Sequence, residues 1–169
     1  MSITFYIAGA VAVAATVFTV TRLNVVHALL YLVISLLAVA VVFYTLGAPF
    51  LAALEVIIYA GAIMVLFVFV VMLLNLGKAE ARAESALLKP SMWIGPGVLA
   101  AILIAELLYL LASGAGDAYP AGVIAPEQVG MALFGPYLLG VELASMLLLA
   151  GLVAAYHLGW RKPVQPEVR

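Results

Sequence analysis

Apolar residues fill five long runs along the chain, and short polar or turn-forming stretches separate them. Each run is about 18 to 27 residues long, enough for an α-helix to cross a hydrocarbon core of about 30 Å at about 1.5 Å per residue. The pattern therefore predicts an all-α integral membrane protein in which residues 1–169 form a single membrane domain. Its five transmembrane helices are predicted at residues 3–20, 25–46, 50–76, 92–111 and 137–160.

The stretches between the runs predict the connections. Four residues separate the first two runs, which indicates a tight helical hairpin, and a Gly47-Ala48-Pro49 breaker lies between the second and third. The stretch 77–91 carries charges of both signs and predicts a solvated linker. The stretch 113–136 is rich in Gly and Pro, and it predicts a longer irregular loop.

The positive charges predict how the helices are oriented in the membrane. Every Lys and Arg falls in the first loop, the third loop or the C-terminal tail, at Arg22, Lys78, Arg82, Lys89, Arg161, Lys162 and Arg169. With five spans these three segments share one side, which the positive-inside rule assigns to the cytoplasm. The N-terminus is then outside and the C-terminus cytoplasmic. Trp93 and Trp160 lie at predicted inner ends, where interfacial aromatic residues are common.

Composition narrows the possible chemistry. The chain is 68% hydrophobic and 9% charged, which excludes a soluble globular domain. A net charge of −1 without a basic run gives no reason to expect nucleic-acid binding. There is no cysteine, no Rossmann glycine pattern and no histidine pair with haem-like spacing. We therefore expect no cofactor or metal in this chain. The first run lacks a preceding positive region and is predicted to be a retained span rather than a cleaved signal peptide.

Three carboxylates fall inside predicted spans, and all three are placed in the outer half of the membrane: Glu55, Glu106 and Glu142. No Lys or Arg lies within any predicted span to pair with them. Each must face water, a polar partner or another subunit, or take up a proton, so each is a candidate for proton or ion chemistry. Alternative interpretations stay open. Glu55 and Glu142 fit an interfacial position, and Glu106 fits a helix–helix contact completed by another chain.

Tyr59 and Gly61 add to the case for the third span. Tyr59 follows Glu55 by one helical turn, and its hydroxyl can relay or orient water. Gly61 lies between Ala60 and Ala62, where a helix can bend or approach another helix closely. The alternatives are a packed tyrosine bound to a backbone carbonyl and a glycine that only permits close packing. The two histidines, His27 and His157, are isolated and are interpreted as structural or interfacial.

Three segments resemble one known family. They are LNVVHALLYLVISLL at 23–37, ALEVIIYAGAIMVLFVFVVMLLN at 53–75 and GMALFGPYLLGVELASMLLL at 130–149. All three are similar to the subunit J (chain 6) family of bacterial NADH:quinone oxidoreductase, respiratory complex I. The resemblance covers the first three spans and the fifth.

The resemblance implies a multi-pass subunit of the bacterial inner membrane, in the membrane arm near the quinone-reducing arm. Its partners would be other membrane-arm and quinone-module subunits and the lipid bilayer, with FMN, iron–sulfur clusters and quinone held by partner subunits. It also implies a π-bulge around residues 59–62, whose conversion to α-helix opens or breaks a water path.

On this reading the chain couples quinone reduction to proton translocation. The path or gate would use Tyr59, Glu55 and Gly61, with Glu142 and Glu106 as further candidates. The alternatives are an accessory subunit of a multisubunit cation/proton antiporter and a structural membrane scaffold.

Overall fold

A computed structural model describes residues 3–74, 90–112 and 122–159. Within these ranges the chain is helical and contains no strand. Within the same ranges, five helices are long and apolar enough to cross a membrane, as predicted. The chain divides into two compact units, Met1–Ile124 and Ala125–Arg169.

The observed helix bounds lie close to the predicted spans. In the first unit α1 is Ile3–Thr21, α2 is Val25–Thr45 and α4 is Pro90–Ala112. Between them, α3 is a continuous helix of three pieces: Pro49–Leu54 is α-helical, Glu55–Ile63 is π-helical and Met64–Leu74 is α-helical. The second unit contains α5, Pro126–Leu133, and α6, Leu138–Gly159.

The predicted hairpin of α1 and α2 is present, and small and polar residues hold it together. Asn24 begins α2 as its N-cap, because its side chain accepts a hydrogen bond from the His27 backbone N–H at 3.1 Å. Between the helices, the hydroxyls of Thr16 and Ser35 lie 2.7 Å apart. Ala15 and Ala38 are fully buried in the cluster that joins these helices, so the two backbones approach closely.

A glycine turn ends α2 and starts α3. Gly47 has φ +80°, and its N–H donates to the Tyr44 carbonyl at 3.0 Å, while the Ala48 N–H donates to the Phe43 carbonyl at 3.1 Å. This is the Schellman pattern, in which a left-handed residue satisfies the last carbonyls of a helix. Pro49 then occupies the first turn of α3, where its missing N–H costs no hydrogen bond. The Gly47-Ala48-Pro49 breaker thus acts as predicted.

Helix α4 completes the core of the first unit. Leu103 packs into the buried cluster formed with Val11 and Ile34 of the hairpin. Farther along α4, Gly95 faces Tyr31 so closely that a Cβ at this position would overlap the tyrosine hydroxyl. Tyr31 is 2% exposed, so α4 passes it only because residue 95 has no side chain.

The second unit shows one error in the predictions. The stretch 113–136 was predicted as an irregular loop, yet α5 occupies Pro126–Leu133. Pro126 lies at the first helical position, and the Gln128 side chain accepts a hydrogen bond from the Ala125 N–H at 3.1 Å. The Gly and Pro content that predicted a loop here marks the start of a helix and the turn after it.

Several predictions fall outside the described residues. They concern the charged linker at 77–89, Trp160 and every Lys and Arg except Arg22. The orientation of the termini across the membrane and the single-domain organisation also stay predictions.

Candidate functional site in the third transmembrane helix

The π-segment of α3, Glu55–Ile63, is the local feature that distinguishes this span from the other four. At its end, the backbone N–H of Met64 donates to the Tyr59 carbonyl, five residues earlier, and to the Gly61 carbonyl, three residues earlier. A π-turn is rare, occurs mostly as an insertion within α-helices, and is frequent at functional sites. The predicted π-bulge is therefore confirmed, and it begins at Glu55 instead of at Tyr59.

Gly61 stands at a tight point of this segment. A Cβ built at residue 61 would lie 3.1 Å from the Val56 carbonyl oxygen, five residues earlier. Such a contact is shorter than ordinary van der Waals packing, so a larger residue would force the two turns apart. Glycine thus fits the π-helical register here, as well as permitting close packing.

The two polar side chains of the segment lie toward the outside of the chain. Glu55 is half-buried at the first position of the π-segment, and Tyr59 is 49% exposed. The Tyr59 hydroxyl forms no hydrogen bond with any residue that the structure describes. The alternative interpretation, in which the Tyr59 hydroxyl is bound to a backbone carbonyl, is therefore not supported by any hydrogen bond among those residues. Both side chains are positioned to meet lipid, water or another chain.

An apolar cavity of about 450 Å³ borders the start of the π-segment. Val56 lines it from α3, together with Ile34 and Tyr44 of α2 and Leu103 and Leu107 of α4. The cavity is open on one side, and Val56 is 41% exposed. Val56 therefore has free space beside it on the side of α3 that faces α2 and α4.

The other two predicted carboxylates are not part of this arrangement. Glu106 lines a different pocket, between α1 and α4, and that pocket shares no lining residue with the cavity beside Val56. Glu142 is exposed on α6 in the second unit. The structure thus brings Glu55, Tyr59 and Gly61 into one segment and places Glu106 elsewhere.

His27 lies inside the α1–α2 hairpin, whereas His157 is exposed on α6. His27 is buried, and its ring lies 5.0 Å from that of Tyr31. The Arg22 guanidinium lies 5.6 Å from the Tyr31 ring centroid and 5.4 Å from that of Phe18, at cation–π distance. This cluster was not predicted, because it depends on how α1 and α2 meet. Over the described ranges no three His, Asp or Glu residues come together as a metal site.

The family model for NADH-ubiquinone/plastoquinone oxidoreductase chain 6 matches residues 15–158. The chain belongs to this family. It is 59% identical over 162 residues to the NADH-quinone oxidoreductase subunit J of Pseudomonas aeruginosa, an alignment that covers 94% of this chain and 96% of that relative.

Other relatives in the chain 6 family support the assignment along nearly the whole length. The subunit J of Escherichia coli is 55% identical over 159 residues, with 94% of this chain and 86% of that protein aligned. The subunit J of Buchnera aphidicola from Schizaphis graminum is 46% identical over 162 residues, with 96% and 99% aligned. The resemblance noted in three segments therefore extends across the chain.

Proposed function

We propose that this chain is a membrane-arm subunit of a proton-pumping NADH:quinone oxidoreductase, and that its π-segment acts as a gate between quinone reduction and proton translocation. The observation that carries the proposal is the π-helical hydrogen bonding of Glu55–Ile63 inside a membrane span of a chain 6 family member. The chain itself would hold no cofactor. FMN, the iron–sulfur clusters and quinone would lie in partner subunits, and the location would be the bacterial inner membrane.

The gate follows from the geometry of a π-turn. A π-turn holds one residue more than an α-turn, so its conversion to α-helix rotates one flanking piece against the other by about 100°. Such a rotation would re-aim Glu55 and Tyr59 relative to the piece Met64–Leu74. A carboxylate and a phenol can both join a chain of hydrogen-bonded waters, so their direction decides whether that chain is continuous. Two discrete backbone registers give the two states that a gate requires.

Three features support the proposal that this segment can adopt both the π-helical and the α-helical register. Gly61 avoids the contact with the Val56 carbonyl that any side chain would make in the π-form. The cavity beside Val56 provides room for the change. The exposed Tyr59 is not tied to another described part of the chain. Glu142 remains a further candidate for the proton path. It lies in the second unit, where other chains would complete its surroundings.

The competing functions are an accessory subunit of a multisubunit cation/proton antiporter and a structural scaffold. An affinity-tagged copy of the chain, purified in mild detergent from bacterial membranes, separates them. We expect it to bring down subunits that carry flavin and iron–sulfur absorbance and that reduce quinone with NADH. Recovery with antiporter subunits alone, or with no redox-active protein, would reject the proposal.

A further inference from the structure

The cavity beside Val56 is a groove that runs along the helices. On α2 its lining extends from Ile34 to Tyr44, and on α4 it extends from Ala100 to Leu110. Each of these stretches rises by about 15 Å along its helix axis. A volume of about 450 Å³ spread over that length leaves a mean cross-section of about 30 Å². The groove is therefore long and narrow, only about 6 Å across.

The groove covers one half of the membrane thickness. Its Tyr44 end lies one residue before the end of α2, and Leu110 lies two residues before the end of α4. Its other end lies near the middle of both helices, at Ile34 of the 21-residue α2 and at Ala100 of the 23-residue α4. Because the hydrocarbon core is about 30 Å thick, the groove reaches from one membrane surface to the midplane. This is the depth of one lipid leaflet.

The lining of the groove does not suit water. Among the residues that line it, only Tyr44 has a polar side-chain atom, and the others are alanine, proline or larger aliphatic residues. A buried water molecule needs two to four polar partners, which these walls do not provide. An empty groove would also leave its lining residues without dispersion contacts on one side. The groove therefore requires an apolar occupant.

The dimensions of the groove select that occupant. A helix from a neighbouring subunit is about 10–12 Å wide with its side chains, about twice the width of the groove, so it can cover the opening but cannot enter. An apolar cavity of about 150 Å³ accommodates one benzene, which has six carbon atoms. By that measure about 450 Å³ accommodates about eighteen carbon atoms. One long acyl chain matches this volume, and a chain in one leaflet matches the length.

We propose that the groove beside Val56 binds one acyl chain of a membrane phospholipid, with its carboxyl end beside Tyr44 and its methyl end beside Ile34 and Ala100. Arg22 is the single cation among the described residues, and it lies near the opposite end of α2, so apolar fit rather than headgroup charge selects the ligand. The inference goes beyond the proposed function, because it requires only that the chain lies in a membrane. A flexible acyl chain can follow a movement of Val56, so its presence is compatible with the proposed gate.

The test maps the depth at which a lipid chain contacts this protein. Cells that express the tagged chain are supplied with phosphatidylcholine whose acyl chain carries a photoreactive diazirine, either next to the carboxyl group or near the terminal methyl. The chain is purified with its natural partners in mild detergent, which removes loosely held lipid, and is then irradiated. Mass spectrometry of its peptides locates the cross-links. We expect the carboxyl-end probe to label residues near Tyr44 and Leu110, and the methyl-end probe to label residues near Ile34 and Ala100.

A matched pair of variants tests whether the lipid lies inside the groove. Ala53→Phe places an aromatic ring in the groove near its membrane-surface end, because Ala53 lines it from α3. The control Ala101→Phe makes the same change on an exposed part of α4 that does not line the groove. We expect Ala53→Phe to lower the yield of the groove cross-links about tenfold, as overpacking of a filled site does. The control should give the wild-type yield.

Each other outcome overturns the inference. A wild-type chain without cross-links at the groove would mean that another subunit fills it or that it holds no lipid. Probes that label without the expected order in depth would exclude the proposed orientation, and this result is available even if Ala53→Phe does not assemble. A wild-type yield in Ala53→Phe would mean that the lipid contacts only the outer surface. Competition by a long-tailed quinone but not by unlabelled phosphatidylcholine would assign the groove to a quinone tail. Co-purification of redox subunits is scored separately, so failure of the lipid site is distinguishable from failure of the proposed function.

Discussion

Substitution of Gly61 by Ala adds one methyl group beside the Val56 carbonyl oxygen. In the π-form the new carbon would lie 3.1 Å from that oxygen, so the backbone must yield by a few tenths of an ångström. Overpacking of a helix interior by a methyl group costs about 1 kcal/mol at the low end of its usual range. The α-form has no such contact between residues five apart. The substitution should therefore shift the balance between the two forms about fivefold toward α-helix.

Gly9→Ala provides a matched control. Gly9 lies in α1, and nothing stands within 4 Å of a Cβ at that position. Both substitutions gain the same intrinsic helix propensity, about 1 kcal/mol, so their difference isolates the contact in the π-segment. Inverted membrane vesicles with each variant would be assayed for NADH:quinone reductase rate and for proton uptake, with the amount of assembled complex measured by immunoblot.

We expect Gly61→Ala to assemble normally and to lower the reductase and pumping rates together, because a gate held in one form slows both coupled steps. Gly9→Ala should leave both rates at the wild-type value. The reasoning would be refuted by Gly61→Ala vesicles that pump and reduce quinone as fast as the control, since the π-to-α change would then not limit turnover.

Three further changes test other parts of the structure. Tyr59→Phe removes a hydroxyl with no described partner, so assembly should be unchanged while the pumping rate falls; a wild-type rate would leave Tyr59 as packing. Gly95→Ala should lower thermal stability by about 1–3 kcal/mol, because its methyl group overlaps Tyr31, whereas Gly97→Ala on the same helix meets open space and should not. Thermal unfolding followed by circular dichroism compares the two. Ser35→Ala removes the hydrogen bonds of its hydroxyl to the Thr16 hydroxyl and to the Ala12 carbonyl of α1, and it should cost about 0.6 kcal/mol for each bond by the same assay; an unchanged midpoint would show that these bonds contribute nothing measurable.

The spans and their turns were predictable from local sequence. Bilayer thickness requires about 20 apolar residues for each helix, and nearly every observed end lies within two residues of the predicted one. The turn at Gly47 was predictable for the same reason, because a left-handed residue followed by Pro49 ends one helix and starts another. The loop predicted over α5 was wrong because Pro and Gly mark helix starts and ends as well as irregular segments.

Sequence alone determined which residues are chemically unusual: three carboxylates in apolar spans, and a phenol and a glycine close to the first of them. Tertiary structure decided what each one faces. The resemblance of the third span implied a π-bulge at residues 59–62, but only the structure shows that the π-register extends over Glu55–Ile63 and that three helices form the cavity beside Val56. Glu106 looked like a member of the same set as Glu55, yet in the structure it is buried beside a separate pocket between α1 and α4. Hydropathy and turn signals are properties of neighbouring residues, whereas burial and unpaired charge depend on residues distant in the chain.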